Sequence, residues 1–390
     1  MDVLWLVSWF PNRTNPLDGD FIERHARAAS LKSRTYVIFV VKAPFTPAGK
    51  TEAILQQHSA SFYTAVYYYP GFTHWGKLVE KIHSNWQYMR LHWKAYRYYK
   101  KQFGKPTGIL VQVGLKAGLM AMVWKVLDRV PYVLFERWGG ILPKASPNFN
   151  DLSFAKRWMW KQVYRQGLQL VTVTRYFGEA VIRRMGRKPL FVIPNSVDSK
   201  LFYPVEKPDS GVFRFIHVST LDENKNFRDI AQAVRLVADA GKKLELLVYG
   251  PYVEAHHRQT VLLNLSSIVS FRGEVSHEAL AAQMRQCHAL VLYSFQETFG
   301  NVLIEANSCG LPVIVSDLEV FKEIIEDGVN GLFAKGQNPQ HLAEKMVWVM
   351  ENYSTFKTTA IAEKTRERFH PEVIADLFDQ LYRTAFQNRS

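Results

Sequence analysis

The chain has 390 residues, of which 47% are apolar and 22% charged, a length and balance that call for two folded domains and exclude general disorder. No stretch reaches the roughly 18 uninterrupted apolar residues of a membrane-spanning helix; even GILVQVGLKAGLMAMVWKVL is broken by Lys116 and Lys125. The net charge of +14 is uneven: residues 1–200 hold 30 Lys/Arg against 11 Asp/Glu, and residues 201–390 hold 19 against 24, so the two halves face different electrostatic tasks.

In MDVLWLVSWF, Asp2 stands where a secretion signal has a basic leader, and Pro11 ends the apolar run. A buried first strand is expected. The following PNRTNPLDGDF has Gly19 as its only glycine, so the G-x-G-x-x-G dinucleotide fingerprint is missing and no nicotinamide or flavin cofactor is expected. Asp18-Gly19-Asp20 spells D-x-D, a metal-carboxylate pattern, but its place ahead of a helix start favours a capping loop with Asp20 as N-cap. No metal is expected.

Further strand-like runs are TYVIFVV, GILVQV, YVLFERW, LQLVTVT and LFVIP in the first half, then FRFIHVS, LELLVYG, IVSFRG, HALVLYS, LPVIVSD and GLFAK in the second. Their spacing leaves room for crossover helices, which predicts two doubly wound α/β domains in sequence. The segment SVDSKLFYPVEKPDSGVFR, with Pro204, Pro208, Ser210 and Gly211, marks the boundary. The predicted division is 1–200, a linker at 201–211, 212–372, and a C-terminal helix at 373–390. That helix is amphipathic through Val373, Ile374, Leu377, Leu381 and Phe386 and free to pack back on the first domain.

Residues 74–105, HWGKLVEKIHSNWQYMRLHWKAYRYYKKQFGK, mix eight basic residues with Trp75, Trp86, Trp93 and several tyrosines, and residues 154–166 repeat the style. Two readings stand side by side: a helix with its aromatic face buried and its lysines solvated, or a helix lying on an anionic membrane surface. Nucleic acid is not expected, since no recognition motif accompanies the charge. Cys287 and Cys309 have no metal-ligand spacing and suit a reducing, cytoplasmic compartment as packing residues.

The stretch ETFGNVLIEANSCGLPVI sets Glu297 and Glu305 eight positions apart after the apolar strand HALVLYS. Ligands of open parallel sheets bind at the carboxyl ends of strands. A helix starting near Gly300 offers unsatisfied N–H groups to an anion, Glu305 can accept hydrogen bonds from a diol such as ribose, and Glu297 can meet a sugar on the other side of the phosphates. From spacing alone, Glu305 as a solvated helix acid and Glu297 as a loop acid stay equally open.

With YS upstream, ETFGNVLIEANSCGLPVIVSD resembles the donor-site signature of the group 1 glycosyltransferases, a retaining family with two Rossmann-like domains (the GT-B fold). Further segments match in order: PLDGDFIERHA, VIPNSVDSKLF, VSTLDENKNF, SFRGEV and FKEIIEDGVNGLF. The resemblance implies that Glu297 contacts the donor sugar near the reacting carbon, Glu305 binds ribose, and Lys225 meets the diphosphate. It implies donor contacts from Gly19, Thr220, Arg272, Phe299, Gly300 and Asn301 as well. Thr220 stands where relatives commonly carry Arg, which leaves Arg272 or a first-domain base to assist Lys225. Arg137, in LFERWGG beside Glu136, Trp138 and the Gly139-Gly140 pair, stands where a catalytic His is common; it is the candidate replacement, with a contact to a donor or acceptor phosphate and a surface salt bridge as equal alternatives. Asn195-Ser196 replaces a common Asn-Gly, with Asn195 expected to hold the turn in a left-handed conformation.

The expectation is therefore a metal-independent, retaining hexosyltransferase without cofactor. It would use a UDP- or GDP-sugar donor and a glycan or lipid-linked acceptor in cell-surface polysaccharide or glycoconjugate synthesis, in the cytoplasm or at the inner face of the membrane. A nucleotide-sugar epimerase of the same fold and a non-catalytic glycan- or membrane-binding relative are the alternatives.

Overall fold

Residues Val3 to Val7 are at most 1% exposed, as a strand must be when helices cover both faces of a parallel sheet. The computed structural model describes residues 1–46, 50–71, 76–114, 116–207 and 211–387. Trp75, Pro208 and Ser210 of the sequence reading lie outside these described residues. The chain divides into two compact units, Met1–Ser196 with Pro371–Ser390, and Val197–His370.

In the first unit, β1 (Asp2–Val7), β2 (Arg34–Lys42), β3 (Glu52–Gln57), β4 (Phe62–Tyr69), β5 (Gly108–Gln112), β6 (Tyr132–Phe135), β7 (Leu170–Thr172) and β8 (Leu190–Val192) form one sheet. Its order is β3-β4-β2-β1-β5-β6-β7-β8. All neighbours are parallel except β3 and β4, which pair antiparallel. That pair is missing from the sequence reading: β3 is a largely exposed edge with no apolar run, and β4 is carried by tyrosines. Helices α1 (Asp20–Ala29), α2 (Lys77–Phe103), α3 (Ala117–Leu127), α4 (Phe154–Gln166) and α5 (Arg175–Met185) supply the connections.

The second unit holds β9 (Phe213–Val218), β10 (Leu244–Tyr249), β11 (Val269–Gly273), β12 (Ala289–Leu292), β13 (Val313–Ser316) and β14 (Gly331–Ala334). They are all parallel, in the order β11-β10-β9-β12-β13-β14. Its helices are α6 (Phe227–Asp239), α7 (Glu254–Leu262), α8 (His277–Met284), α9 (Asn301–Ser308), α10 (Pro339–Glu351) and α11 (Thr358–Phe369). In α6, Phe227, Ile230, Ala231, Val234 and Val237 repeat at helical spacing and are buried, so one face of the helix seals the sheet.

The last helix, α12 (Pro371–Tyr382), returns to the first unit and packs on α1. Its Phe378 ring lies 5.3 Å from both Trp5 and His25, and Trp5 Nε1 donates to the Tyr382 hydroxyl at 3.0 Å.

Both sheets reverse their winding once. In the first, β2 and β5 flank β1; in the second, β10 and β12 flank β9. A crevice opens where loops leave in opposite directions at the carboxyl ends of two neighbouring strands. These points lie between β1 and β5, and between β9 and β12.

Candidate active site

The second switch point carries the two strongest candidates. Because β9 and β12 are parallel neighbours, the loops that follow them emerge side by side. Asn224 stitches them together: its carbonyl accepts from Phe295 N at 2.8 Å, its Oδ1 from Gln296 N at 3.1 Å, and its Nδ2 donates to Gln296 O at 3.0 Å. The next residue on one side is Lys225, and on the other Glu297. Lys225 Nζ donates to Glu297 Oε1 at 2.5 Å, and the Ser294 hydroxyl donates to the same oxygen at 2.9 Å.

The Lys225 and Glu297 side chains are only 18% and 12% exposed. Burial works against the Lys225 charge, but the Glu297 carboxylate outweighs it and, with Asp222, holds the ammonium above the ordinary lysine value. Lys225 is therefore a charged ammonium held against Glu297.

The loop below is fixed by a histidine of defined tautomer. His217 Nδ1 lies 2.9 Å from the Val291 carbonyl, which can only accept, so Nδ1 carries the proton. Its Nε2 then accepts from the Ser219 hydroxyl at 2.8 Å, and Ser219 Oγ accepts from Leu221 N at 3.1 Å. Burial, with help from Lys225, lowers His217 to about 4.

Helix α9 starts at Gly300, whose φ of 95° and ψ of 72° put it in the left-handed region. Glu305 is 4% exposed, which removes its reading as a solvated helix acid. Phe299, 3% exposed, packs edge-on against Phe369 at 6.0 Å, so its ring belongs to the core. Asn301 is the first residue of α9 and is partly exposed. Thr220 is exposed and its hydroxyl donates to Asp222 at 2.6 Å.

Arg272 does not join this group. Its side chain is 51% exposed and turns back along the sheet to Glu245, 4.0 Å away, which Arg214 also binds. A strand-end position was legible in sequence; the acid that draws the guanidinium away was not.

At the switch point of the first unit, Gly19 has φ 67° and caps α1. A Cβ there would sit 2.7 to 2.8 Å from the backbone of Trp9 and Phe10, so only glycine fits. Asp20 is not the cap that the sequence suggested; it is the first helical residue and pairs with Arg24 at 2.9 Å.

Arg137 must also be corrected. It is 6% exposed, and its guanidinium is committed internally: Nε to Gln112 Oε1 at 2.8 Å, one terminal nitrogen to Asn195 Oδ1 at 2.7 Å, the other to His25 Nδ1 at 2.5 Å. It lies 3.9 Å from the centre of the Phe135 ring. His25 Nε2 lies 2.9 Å from the Pro194 carbonyl, so Nε2 bears the proton and Nδ1 accepts from Arg137. Burial first, then Arg137, holds His25 well below the ordinary value and neutral. Burial lowers Arg137 itself, against the pull of Glu136. Glu136, fully buried, accepts from the backbone N–H groups of Gly114, Arg137 and Trp138. Arg137 and Glu136 thus clamp the strand ends from within, and nothing leaves the guanidinium facing a ligand as a replacement for a catalytic His.

Asn195, 5% exposed, has no positive φ; Asn226 and Leu221 are among the residues that do. Asn195 serves by binding Arg137 instead of by bending the chain. The residue that sequence reasoning missed is Val113, directly after β5, with φ 67°. A β-branched residue is strained there. Its carbonyl accepts from the Ser8 hydroxyl at 3.1 Å, and no sequence pattern announces the conformation.

Residues 202–369, nearly the whole second unit, match the family described as glycosyl transferases group 1. The second unit is thus similar to the group 1 glycosyltransferases. An uncharacterized glycosyltransferase of Methanocaldococcus jannaschii is 28% identical over 206 residues, 53% of this chain and 56% of that protein. The chain spans only about half, or less, of the first curated relatives it matches. Across the whole chain the likeness is structural. Sucrose-phosphate synthase from Thermosynechococcus elongatus superposes with a TM-score of 0.78 at 20% identity, covering 99% of this chain and all of that one. Anabaena HepE in complex with UDP and glucose superposes with a TM-score of 0.72 at 16% identity, covering 98% and 100%. The fold is GT-B, two Rossmann-like units with the final helix returned to the first. No helix among the described residues is long and apolar enough to cross a membrane.

Proposed function

We propose that the protein is a retaining glycosyltransferase that moves a hexose-type sugar from an NDP-sugar to a glycan or lipid-linked acceptor. The observation that carries this reading is the Lys225–Glu297 pair at the second switch point, where Asn224 locks a cation and an acid to adjoining strand ends. That the second solved structure above was obtained with UDP and glucose supports a nucleotide-sugar donor.

In this mechanism the diphosphate lies on Lys225 and the N–H groups at the start of α9, with Gly300 allowing close approach. Glu305 accepts from the ribose hydroxyls, and Thr220 and Asn301 lend polar contacts. Glu297 faces the sugar, where its carboxylate stabilises the positive charge that grows on the anomeric carbon. The bond from that carbon to the diphosphate oxygen breaks, the acceptor oxygen bonds to the same face, and the acceptor proton passes to the departing phosphate. Lys225 bears the charge of the leaving group, so the step is written without a metal. NDP-sugar donors place the work in the cytoplasm, in surface polysaccharide or glycoconjugate synthesis.

A thermal-shift series with UDP, GDP and their sugars tests the donor. A nucleoside diphosphate should raise Tm in the intact protein and lose its effect in Lys225→Met. Acceptor-independent isomerisation of a donor would replace this reading with an epimerase, and no Tm response to any nucleotide would remove it.

A further inference from the structure

Helix α2 is longer than the sheet it covers. Its 27 residues extend about 40 Å, whereas β2 and β4, the strands it packs on, have nine and eight residues and extend about 27–30 Å. Since β4 ahead of it and β5 behind it both run with the parallel sheet, α2 starts at the carboxyl end of the strands and returns to their amino end. Its first buried side chain is Gln87. Residues 77–86 therefore project past the carboxyl edge, tethered by the Tyr69 hydroxyl to Ser84 at 3.0 Å and by the Lys42–Glu80 ion pair.

On the outward face, Leu78, Ile82, Trp86, Met89 and Trp93 are 71%, 61%, 53%, 52% and 40% exposed. At 3.6 residues per turn they lie within about 80° of one another, opposite the buried Tyr88, Leu91 and Ala95. A helix on a water-facing surface turns its polar side outward; this one presents a continuous apolar ridge. Lys81 lies on one flank, and Arg90, Lys94 and Arg97 lie on the other. The Arg90 guanidinium lies 5.2 Å from the Trp86 ring centre. The only acid of the helix is Glu80, and Lys42 neutralises it.

We propose that this ridge is a membrane-docking face, laid into the boundary between headgroups and acyl chains of an anionic bilayer with the flanking cations on lipid phosphates. Charge selects the occupant. A second copy of the chain would set these cations against their own kind, whereas an anionic lipid surface satisfies the apolar row from Leu78 to Trp93 and the cations beside it. Docking at the overhang brings lipid to the edge of the first unit that also carries Gly19 and the strained Val113. The inference stands on the helix alone and does not require the sugar chemistry.

The test is co-sedimentation of the full chain with phosphatidylcholine vesicles and with vesicles containing about one-third phosphatidylglycerol. Two variants, Ile82→Ser/Trp86→Ser and Arg90→Glu/Lys94→Glu, alter exposed positions and should leave Tm and nucleotide binding unchanged. Wild-type protein should pellet with the anionic vesicles only, and each variant should bind them about ten-fold more weakly. Failure of the wild type to pellet, or pelleting that ignores the apolar substitutions, overturns the proposal. So does a solution dimer that the apolar substitutions dissociate, which would make a second copy the occupant. Unchanged nucleotide binding in the variants keeps these outcomes separate from the donor assignment.

Discussion

Replacing Glu297 by Gln should have opposite effects on the free protein and on its complex with a nucleoside diphosphate. In the free protein, Lys225 Nζ sits 2.5 Å from Glu297 Oε1 with both side chains largely hidden. Removing the carboxylate charge leaves a sequestered ammonium without its counterion, at a cost of about 3 kcal/mol, the lower end for a buried pair because some exposure remains. A diphosphate on Lys225 restores a counterion, and in the variant it no longer competes with Glu297. A charge-assisted hydrogen bond contributes about 1.5–3 kcal/mol, so UDP should bind Glu297→Gln roughly ten-fold more tightly than wild type, while sugar transfer from a UDP-linked donor collapses. Lys225→Met should lose about ten-fold or more in UDP affinity by the same count. Chemical denaturation gives the first quantity and calorimetric titration with UDP the other two. If Glu297→Gln weakens UDP as much as Lys225→Met does, the ammonium is not shared between acid and phosphate, and the donor assignment built on it fails.

Arg137→Ala should lower stability by about 3–5 kcal/mol, because Gln112, Asn195 and His25 all lose their donor inside the first unit; UDP binding, proposed for the second unit, should persist below the new Tm, whereas a ligand-facing Arg137 would give the reverse. Gly19→Ala should cost about 2 kcal/mol or more in denaturant unfolding, since the left-handed φ and the backbone of Trp9 and Phe10 both oppose a Cβ; a change under 0.5 kcal/mol would show that the loop gives way. Acid should weaken both units. Burial lowers His92 and His217 from the ordinary 6.5 to about 4. The unfolded chain takes up these protons below pH 6.5 while the folded chain stays neutral until about pH 4, so stability present above 6.5 falls by about 2 kcal/mol per histidine at pH 5. Unfolding free energies that stay level from pH 7 to 5 would contradict the buried neutral assignment.

What could be read in advance was what depends on short sequence distance. The six strands of the second sheet are apolar runs bounded by turns, and Glu297, Gly300 and Glu305 sit within one strand–loop–helix step. The role of Arg137 was hidden because its partners come from α1, β5 and the stretch after β8, and only the folded chain assembles them. The contact of Arg272 with Glu245 was hidden for the same reason, since Glu245 lies on a neighbouring strand. The β3–β4 hairpin escaped because β3 is an exposed edge whose side chains carry no apolar alternation. The αL conformation of Val113 contradicts local preference, so the surrounding packing imposes it.

The position of α12 sets an order of events during synthesis. Trp5 is synthesised long before α12, yet its indole N–H donates to Tyr382, and Phe378 packs on it from the same helix. The first unit waits with an unsealed core while residues 197–370, which form the second unit, are made. Removing α12 would therefore harm β1 and α1, and a nascent chain stalled before residue 371 would expose apolar surface around Trp5.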